Sequence, residues 1–390
     1  MHNHEILDII KQELNNTNTL LLINKSAILE NYQIVKNQLE SNTKISMVLK
    51  NNAYGLGIEE IFKILESTNC MDFFVADYLE GVQLREIATK LNPNKDYNIY
   101  VFHGFLPSQI ENFYKYNLIP VCNTLENVID YNEFAKKKNI KLNTILHIET
   151  GINRLALNPA EVASIAKNSA EYLSNLNIVN IMSHFACADL HSHYSIEKQY
   201  EKFEELIKIL PKTQYSLSAS YGIFVDKKYH YDMVRPAICV YGGNPTPYKN
   251  HNPMKPVVYL YSKILQIKDL QDGDSYGYSY TWQSKGKSKL GIIPVGYADG
   301  VLRSSQELGF AYIDNIKVKI VGRVSMDLIA IDITNLEEKY QKVGQMVELM
   351  GDNISLDNFA TNAKTIHCEV LNVLSRRYKR LFYEDQKGKK

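Results

Sequence analysis

The 390-residue chain has few cysteines, and the five present, Cys70, Cys122, Cys187, Cys239 and Cys368, are odd in number and widely spaced. No Cys-x-x-Cys pair occurs, which argues against a disulfide framework and against a zinc finger. Net charge is almost absent. Lys and Arg total 44 against 43 Asp and Glu, leaving +1, so composition makes no electrostatic case for nucleic acid or an anionic membrane as partner. Long apolar stretches are missing too. No uncharged run approaches the roughly 18 residues needed to span a bilayer, and the opening "MHNHEILDIIKQELNN" lacks the basic segment and apolar core of a secretory signal. The expected setting is a reducing cytoplasm. Fixed-period repeats and low-complexity tracts are also lacking. Residues 1–17 read as an N-terminal extension, polar and weakly amphipathic, for which disorder is the simpler expectation. The densest basic segment, Arg376, Arg377, Lys379 and Arg380 with Lys387, Lys389 and Lys390 beyond it, reads as a solvated face and a frayed tail.

What is present is ordinary for a soluble globular protein, 45% hydrophobic and 22% charged. Its length suits two or three domains. From residue 44 onward, eight short apolar runs recur: "KISMVLK", "MDFFVAD", "NIYVFHG", "NLIPVCN", "NTILHIE", "IVNIMSHF", "QYSLSAS" and "MVRPAICVYG". Stretches with apolar residues three and four apart separate them, and the gap after the seventh run is the weakest. Strands alternating with helices predict parallel βαβ units. Eight units within about 200 residues fit a (β/α)8 TIM-type barrel at the short end of its range; a doubly wound open sheet is the alternative. After "NPTPYKNHNP" the texture changes to period-two alternation, clearest in "IKVKIVGRV", with "IDN" before it as a hairpin turn. The fold class expected is α/β: an N-terminal barrel over 18–245, then a mostly β domain over 246–390. The strand "TLLLIN" (19–24) is a candidate to pair with the C-terminal sheet.

In such a barrel the chemistry sits at the C-terminal ends of the strands. Those ends carry Lys50 and Tyr54, then His147, Glu149 and Arg154, then Ser183 and His184, then Ser218 and Ser220, then Arg235 and Tyr241. A single lysine or histidine there is usually a solvated cap or a satisfied structural residue. Five such groups at one rim, Lys50, Arg154, His184, Ser220 and Arg235, point instead to one site. A lysine in a cationic neighbourhood can form a Schiff base. Serines and backbone N–H groups after strands seven and eight are where barrels hold phosphate. Together they suit pyridoxal phosphate, an electron sink. Although "SHFACADLHSHYS" holds His184, Asp189, His191 and His193, it lacks a fixed ligand spacing, and no metal is expected.

The blocks "MVLKNNAYGLG", "HIETGINRL", "SHFACAD", "MVRPAICVYG", "DSYGYSYTW", "IPVGYADG" and "VGRVSMDLIAID" occur in the order of one family's motifs. Over about residues 20–381 the chain resembles the alanine racemase family. That resemblance implies a pyridoxal-phosphate enzyme that interconverts L- and D-alanine, supplies D-alanine for peptidoglycan, and works as a homodimer with shared active sites. Lys50 would hold the cofactor and act as one base. Tyr276 would be the opposite base, reaching the partner subunit's barrel mouth. Arg235 would face the pyridine nitrogen, and Arg154 would support the phenolic oxygen and the substrate carboxylate. His184 would lie near the Tyr276 hydroxyl. Tyr54, Ser220, Ala237, Ile238 and Tyr241 would hold the phosphate or flank the ring. The Met326 backbone would meet the carboxylate beside Asp327, and Tyr297 would line the entry. The alternatives are a racemase of serine or of a broader set of amino acids, or a non-catalytic cofactor-binding barrel.

Several positions depart from that pattern. His147 stands where many members carry a lysine that braces the arginine corresponding to Arg154. Leu56 replaces a histidine, Arg376 a tyrosine near the phosphate, Ala237 a glycine and Ala219 an asparagine. The Ala237 exchange costs little unless its φ is positive.

Overall fold

A computed structural model describes residues 2–306 and 309–384. Eight parallel strands run in sequence order around one sheet: Lys44–Val48, Asp72–Val75, Asn98–Val101, Leu118–Cys122, Leu142–His147, Leu176–Met182, Tyr215–Ser216 and Met233–Val234. The last pairs with the first, Lys44 opposite Met233. A parallel bridge between Ala219 and Arg235 joins the seventh to the eighth. The sheet is therefore a closed barrel, not the open doubly wound alternative. Asp72–Val75 and Leu118–Cys122 are buried throughout, as strands covered on both faces must be.

The intervening helices follow from local signals. Ile58–Glu66 buries Ile58, Ile61, Phe62 and Leu65 at helical spacing. Leu125–Lys138 starts where Thr124 accepts from the Asn127 N–H and stops at left-handed Asn139 (φ 55°). Pro159–Lys167 has proline in its first turn and a capping box between Asn158 and Glu161. The weak seventh gap holds two 3-10 turns, Gly222–Phe224 and Lys227–Tyr229, in place of a helix.

The second sheet has nine strands, in the order 266–270, 288–293, 329–332, 316–321, 310–313, 346–350, 258–263, 19–24, 379–383. Asp314 and Asn315 turn the 310–313/316–321 hairpin as expected. Thr19–Asn24 pairs with Val258–Lys263 and Lys379–Tyr383, inside this sheet. The compact units accordingly divide the chain otherwise than a linear reading would. One comprises residues 1–30, 241–243 and 255–390, the other 31–240 and 244–254.

The N-terminal segment corrects the expectation of disorder. His2–Leu14 is a helix whose Ile6, Ile10 and Leu14, four residues apart, pack on Leu20, Leu22, Tyr259, Tyr261 and Tyr383. The basic segment is corrected too: it is paired, not simply solvated. Arg377 binds Asp299 through two hydrogen bonds of 2.9 Å and Asp327 through one of 2.6 Å. Arg380 donates to the Leu374 carbonyl, and Lys379 pairs with Glu13. Arg376 remains exposed. Lys387, Lys389 and Lys390 lie outside the described residues. No helix among the described residues is long and apolar enough to cross a membrane.

Candidate active site

Lys50 follows the first barrel strand and opens an unusual turn. Asn51, Asn52, Ala53 and Tyr54 all have positive φ, between 50° and 55°, and Gly55 follows at 77°. This is one left-handed turn, closed by the Gly55 N–H on the Asn51 carbonyl and the Ala53 N–H on the Leu49 carbonyl, each 2.8 Å. Asparagine tolerates that conformation, whereas Ala53 and Tyr54 each cost about 1–2 kcal/mol. Strain of this kind gathers at functional sites and persists only where surroundings impose it. Glu80, in the first turn of the helix Tyr78–Leu91, is part of that imposition: its carboxylate accepts from the Ala76 N–H at 2.9 Å and the Asn52 N–H at 3.4 Å. Asn52 Oδ1 in turn accepts from the Ile58 N–H. The turn buries Tyr54 and sets the Lys50 amine 6.0 Å from its ring centre.

Across the mouth, Arg235 is a fully buried guanidinium. Its terminal nitrogens donate to Ser216 Oγ and to the carbonyls of Ser183 and Leu217. Burial brings it down to about 9, so it stays protonated at neutral pH. Burial holds both histidines down, and the positive charges of Arg235 and Arg154 act on each of them; Lys50 also acts on His184. His147 falls to about 3. The two rings are therefore neutral, and no acid is among the charges that act on them. Gln199, buried in the helix Tyr194–Ile207, ties two loops of the rim: its amide donates to the His184 carbonyl and Thr150 Oγ1 and accepts from the Ala186 N–H.

On the eighth-strand side, Ala237 and Ile238 are buried, as is Tyr241. The Ala237 N–H donates to Ser220 Oγ at 2.9 Å. Ala237 is not among the residues with positive φ, so the exchange from glycine carries no left-handed strain. Leu56 is buried.

Tyr276 and Met326 belong to the β unit. Tyr276 sits on the short hairpin Ser275–Tyr276/Trp282–Gln283. It is half-buried against Leu290, Ile292, Val321 and Ala330, and burial raises its phenol above 10. Gly322, at φ +69°, fits tightly beneath it: an added Cβ would lie 2.8 Å from Tyr276 Cδ1. Tyr278, Tyr280, Tyr297 and Met326 are exposed. The Met326 bend is held by Tyr297 and Ala298, whose N–H groups donate to the Ser325 and Met326 carbonyls at 3.0 Å. Arg377 clamps the adjacent Asp327.

The barrel thus brings together Lys50, Tyr54, His147, Arg154, His184 and Arg235, and pairs Ser220 with Ala237. Glu80, Gln199 and Arg377 escape a sequence reading, because an acid in a first helical turn or a polar residue on a helix looks like surface. Among the described residues, no group of three or more His, Cys, Asp or Glu side chains is placed to hold a metal. The donor set fits a phosphate-bearing aldehyde cofactor: an amine beside an aromatic face and a buried permanent cation.

Two family models cover the chain, the N-terminal domain of alanine racemase over 23–245 and its C-terminal domain over 257–382. An alanine racemase of Rickettsia bellii is 37% identical over 87% of this chain and 82% of its own length. A catabolic alanine racemase of Mesorhizobium japonicum is 36% identical over 93% and 92%. The crystal structure of alanine racemase from Bartonella henselae with covalently bound pyridoxal phosphate superposes with a TM-score of 0.89, at 33% identity, over 94% of this chain and 100% of that one. The chain belongs to the alanine racemase family.

Proposed function

We propose that this member of the family interconverts L- and D-alanine with pyridoxal phosphate, and that Lys50 and Tyr276 are its two bases. The observation that carries the reading is the Lys50 amine, placed by a strained turn at the mouth of a cationic barrel. When bound, the cofactor supplies the electron sink that makes the substrate Cα–H acidic. Racemisation then takes a proton from one face of Cα and returns one to the other. Two bases on opposite faces accomplish this without turning the substrate, and an amine and a phenol suit the task.

Each remaining group has a positioning role in this reading. Lys50 holds the cofactor and Tyr54 covers its phosphate. Ser220, Ala237, Ile238 and Tyr241 complete the phosphate end. Arg235 stays protonated at neutral pH, so a ring nitrogen facing it accepts a hydrogen bond and stays uncharged. Arg154 and the Met326 backbone take the substrate carboxylate. Tyr276 needs roughly 4 kcal/mol of phenolate stabilisation to move from near 10 to about 7. Its own unit works the other way, because burial raises it. Arg235, acting through a neutral His184 in the mouth of a partner subunit, would supply part of that stabilisation. A homodimer follows, since a two-fold interface is reciprocal. The exposed Tyr278, Tyr280, Tyr297 and Met326 support it as surface for a partner to cover. A cytoplasmic location and supply of D-alanine for peptidoglycan complete the proposal.

Tyr276→Phe tests the two-base assignment. Exchange of the Cα proton with solvent should fall far more from one alanine enantiomer than from the other. Equal residual exchange from both would contradict it.

A further inference from the structure

His147 ends the fifth barrel strand and is 5% exposed. Its Nδ1 lies 2.9 Å from Asn123 Oδ1. The orientation of that amide is fixed, because Asn123 Nδ2 donates to the carbonyls of Phe102 at 2.9 Å and Val121 at 3.1 Å. Asn123 Oδ1 is therefore an acceptor, and the ring hydrogen resides on Nδ1. A neutral imidazole then presents a lone pair on Nε2. That nitrogen is buried and makes no hydrogen bond, an arrangement that costs stability unless something donates to it.

The cations whose charge acts on His147 are Arg235 and Arg154. Arg235 has its terminal nitrogens engaged by Ser216, Ser183 and Leu217. Arg154 is exposed, and no hydrogen bond ties it to another described residue. It rides on a loop that leaves His147 and returns to it: the Leu157 N–H donates to the His147 carbonyl at 2.7 Å, and the Glu149 N–H to the Leu157 carbonyl at 2.9 Å. We propose that Nε2 of His147 is the acceptor that anchors the Arg154 guanidinium in the working enzyme, so that Asn123 and His147 act as a neutral brace and leave Arg154 its full charge. His147 is then a positioning residue that acts through Arg154. The proposal rests on the reading of Arg154 as a carboxylate-binding group.

The experiment uses the cofactor-loaded full-length protein. His147→Leu should raise KM for alanine roughly ten- to a hundredfold, the scale of a lost hydrogen bond to a charged group, with kcat much less affected. His147→Gln, whose amide oxygen can stand near the Nε2 position, should recover most of that loss. Adding His147→Leu to Arg154→Ala should raise KM no further than Arg154→Ala does. Independently of turnover, the 15N resonance of His147 Nε2 in the wild-type protein should be that of an unprotonated nitrogen accepting a hydrogen bond, and Arg154→Ala should move it to the free value. An unchanged KM in His147→Leu, additive losses in the double variant, or an Nε2 resonance indifferent to Arg154→Ala would overturn the proposal. If Arg154→Ala leaves KM unchanged, the carboxylate reading of Arg154 fails, and the resonance alone decides whether the brace exists. The resonance also decides if His147→Leu does not fold.

Discussion

The barrel mouth is built and braced by its own chain, whereas the hairpin carrying Tyr276 leaves its aromatic neighbours exposed. In the barrel unit, Arg235 donates to Ser216, Ser183 and Leu217, Ser220 meets Ala237, and Gln199 and Glu80 pin the loops and the left-handed turn. In the β unit, Tyr276 rests on a small apolar cluster while Tyr278 and Tyr280 are 68% and 75% exposed. The electrostatics differ in the same sense. The barrel's His147 and His184 are held neutral by burial and by neighbouring cations, while His367 of the β unit is raised to about 9. Burial works against that proton, but Asp357, 3.1 Å away, and Cys368 together outweigh it. One unit is a prepared cation-rich socket. The other offers a base whose own surroundings keep it protonated. A phenol in that condition becomes a competent base only where it meets positive charge.

The largest expected effect comes from emptying the socket. Lys50→Ala should lose the visible absorbance of lysine-bound cofactor and at least about a thousandfold in racemisation; retention of both would break the comparison at its first term. Disturbing the hairpin should do less and leave the cofactor in place. Gly322→Ala puts a methyl group against Tyr276, and displacement of a base by about an ångström costs on the order of a hundredfold. Its spectrum should match wild type, and a spectral change would show that the two regions are not separable in this way.

Glu80→Ala sharpens the claim that the turn is held from outside. Two backbone N–H groups lose their acceptor, at about 1–3 kcal/mol, so thermal stability and cofactor retention should fall together. The rate per bound cofactor should stay close to wild type. A normal melting temperature would show that the turn holds itself.

The pH dependence of stability has opposite signs in the two units. The folded pKa values of His147 and His184 lie below the unfolded value near 6.5, so their contribution is present above that pH and is lost as pH falls through the folded values, about 3 for His147. The folded pKa of His367 lies above it, so its contribution, at most about 3 kcal/mol, is present below 6.5 and is lost as pH rises through 9. His147→Gln should flatten the acid limb of a melting-temperature profile, and His367→Gln the alkaline limb. The reverse pattern would refute these charge states.

Much of this was legible in the sequence, for physical reasons. Each of the eight apolar runs is a barrel strand because a strand covered on both faces must be apolar along its length, and "IDN" turned its hairpin because Asp314 accepts a positive φ. Lys50 was conspicuous because an amine ending a buried run is costly. The left-handed turn after it was not legible: glycines at 55 and 57 drew attention to themselves, while Asn51–Tyr54 bend the chain. The apolar stripe Ile6, Ile10, Leu14 was visible in principle, but it lies in a polar segment, and its cover, Tyr259 and Tyr261, is some 250 residues away in sequence. Arg377 looked like solvated charge because its partners Asp299 and Asp327 are also distant in sequence.

The central claim is that one chain's prepared mouth is completed by another chain's Tyr276. Mixing Lys50→Ala with Tyr276→Phe, each inactive alone, and allowing subunits to exchange tests it most directly. A shared site predicts recovery of about a quarter of wild-type activity, because half of the random dimers are mixed and each of those carries one intact site. Complete absence of recovery, with mixed dimers shown to have formed, would contradict it.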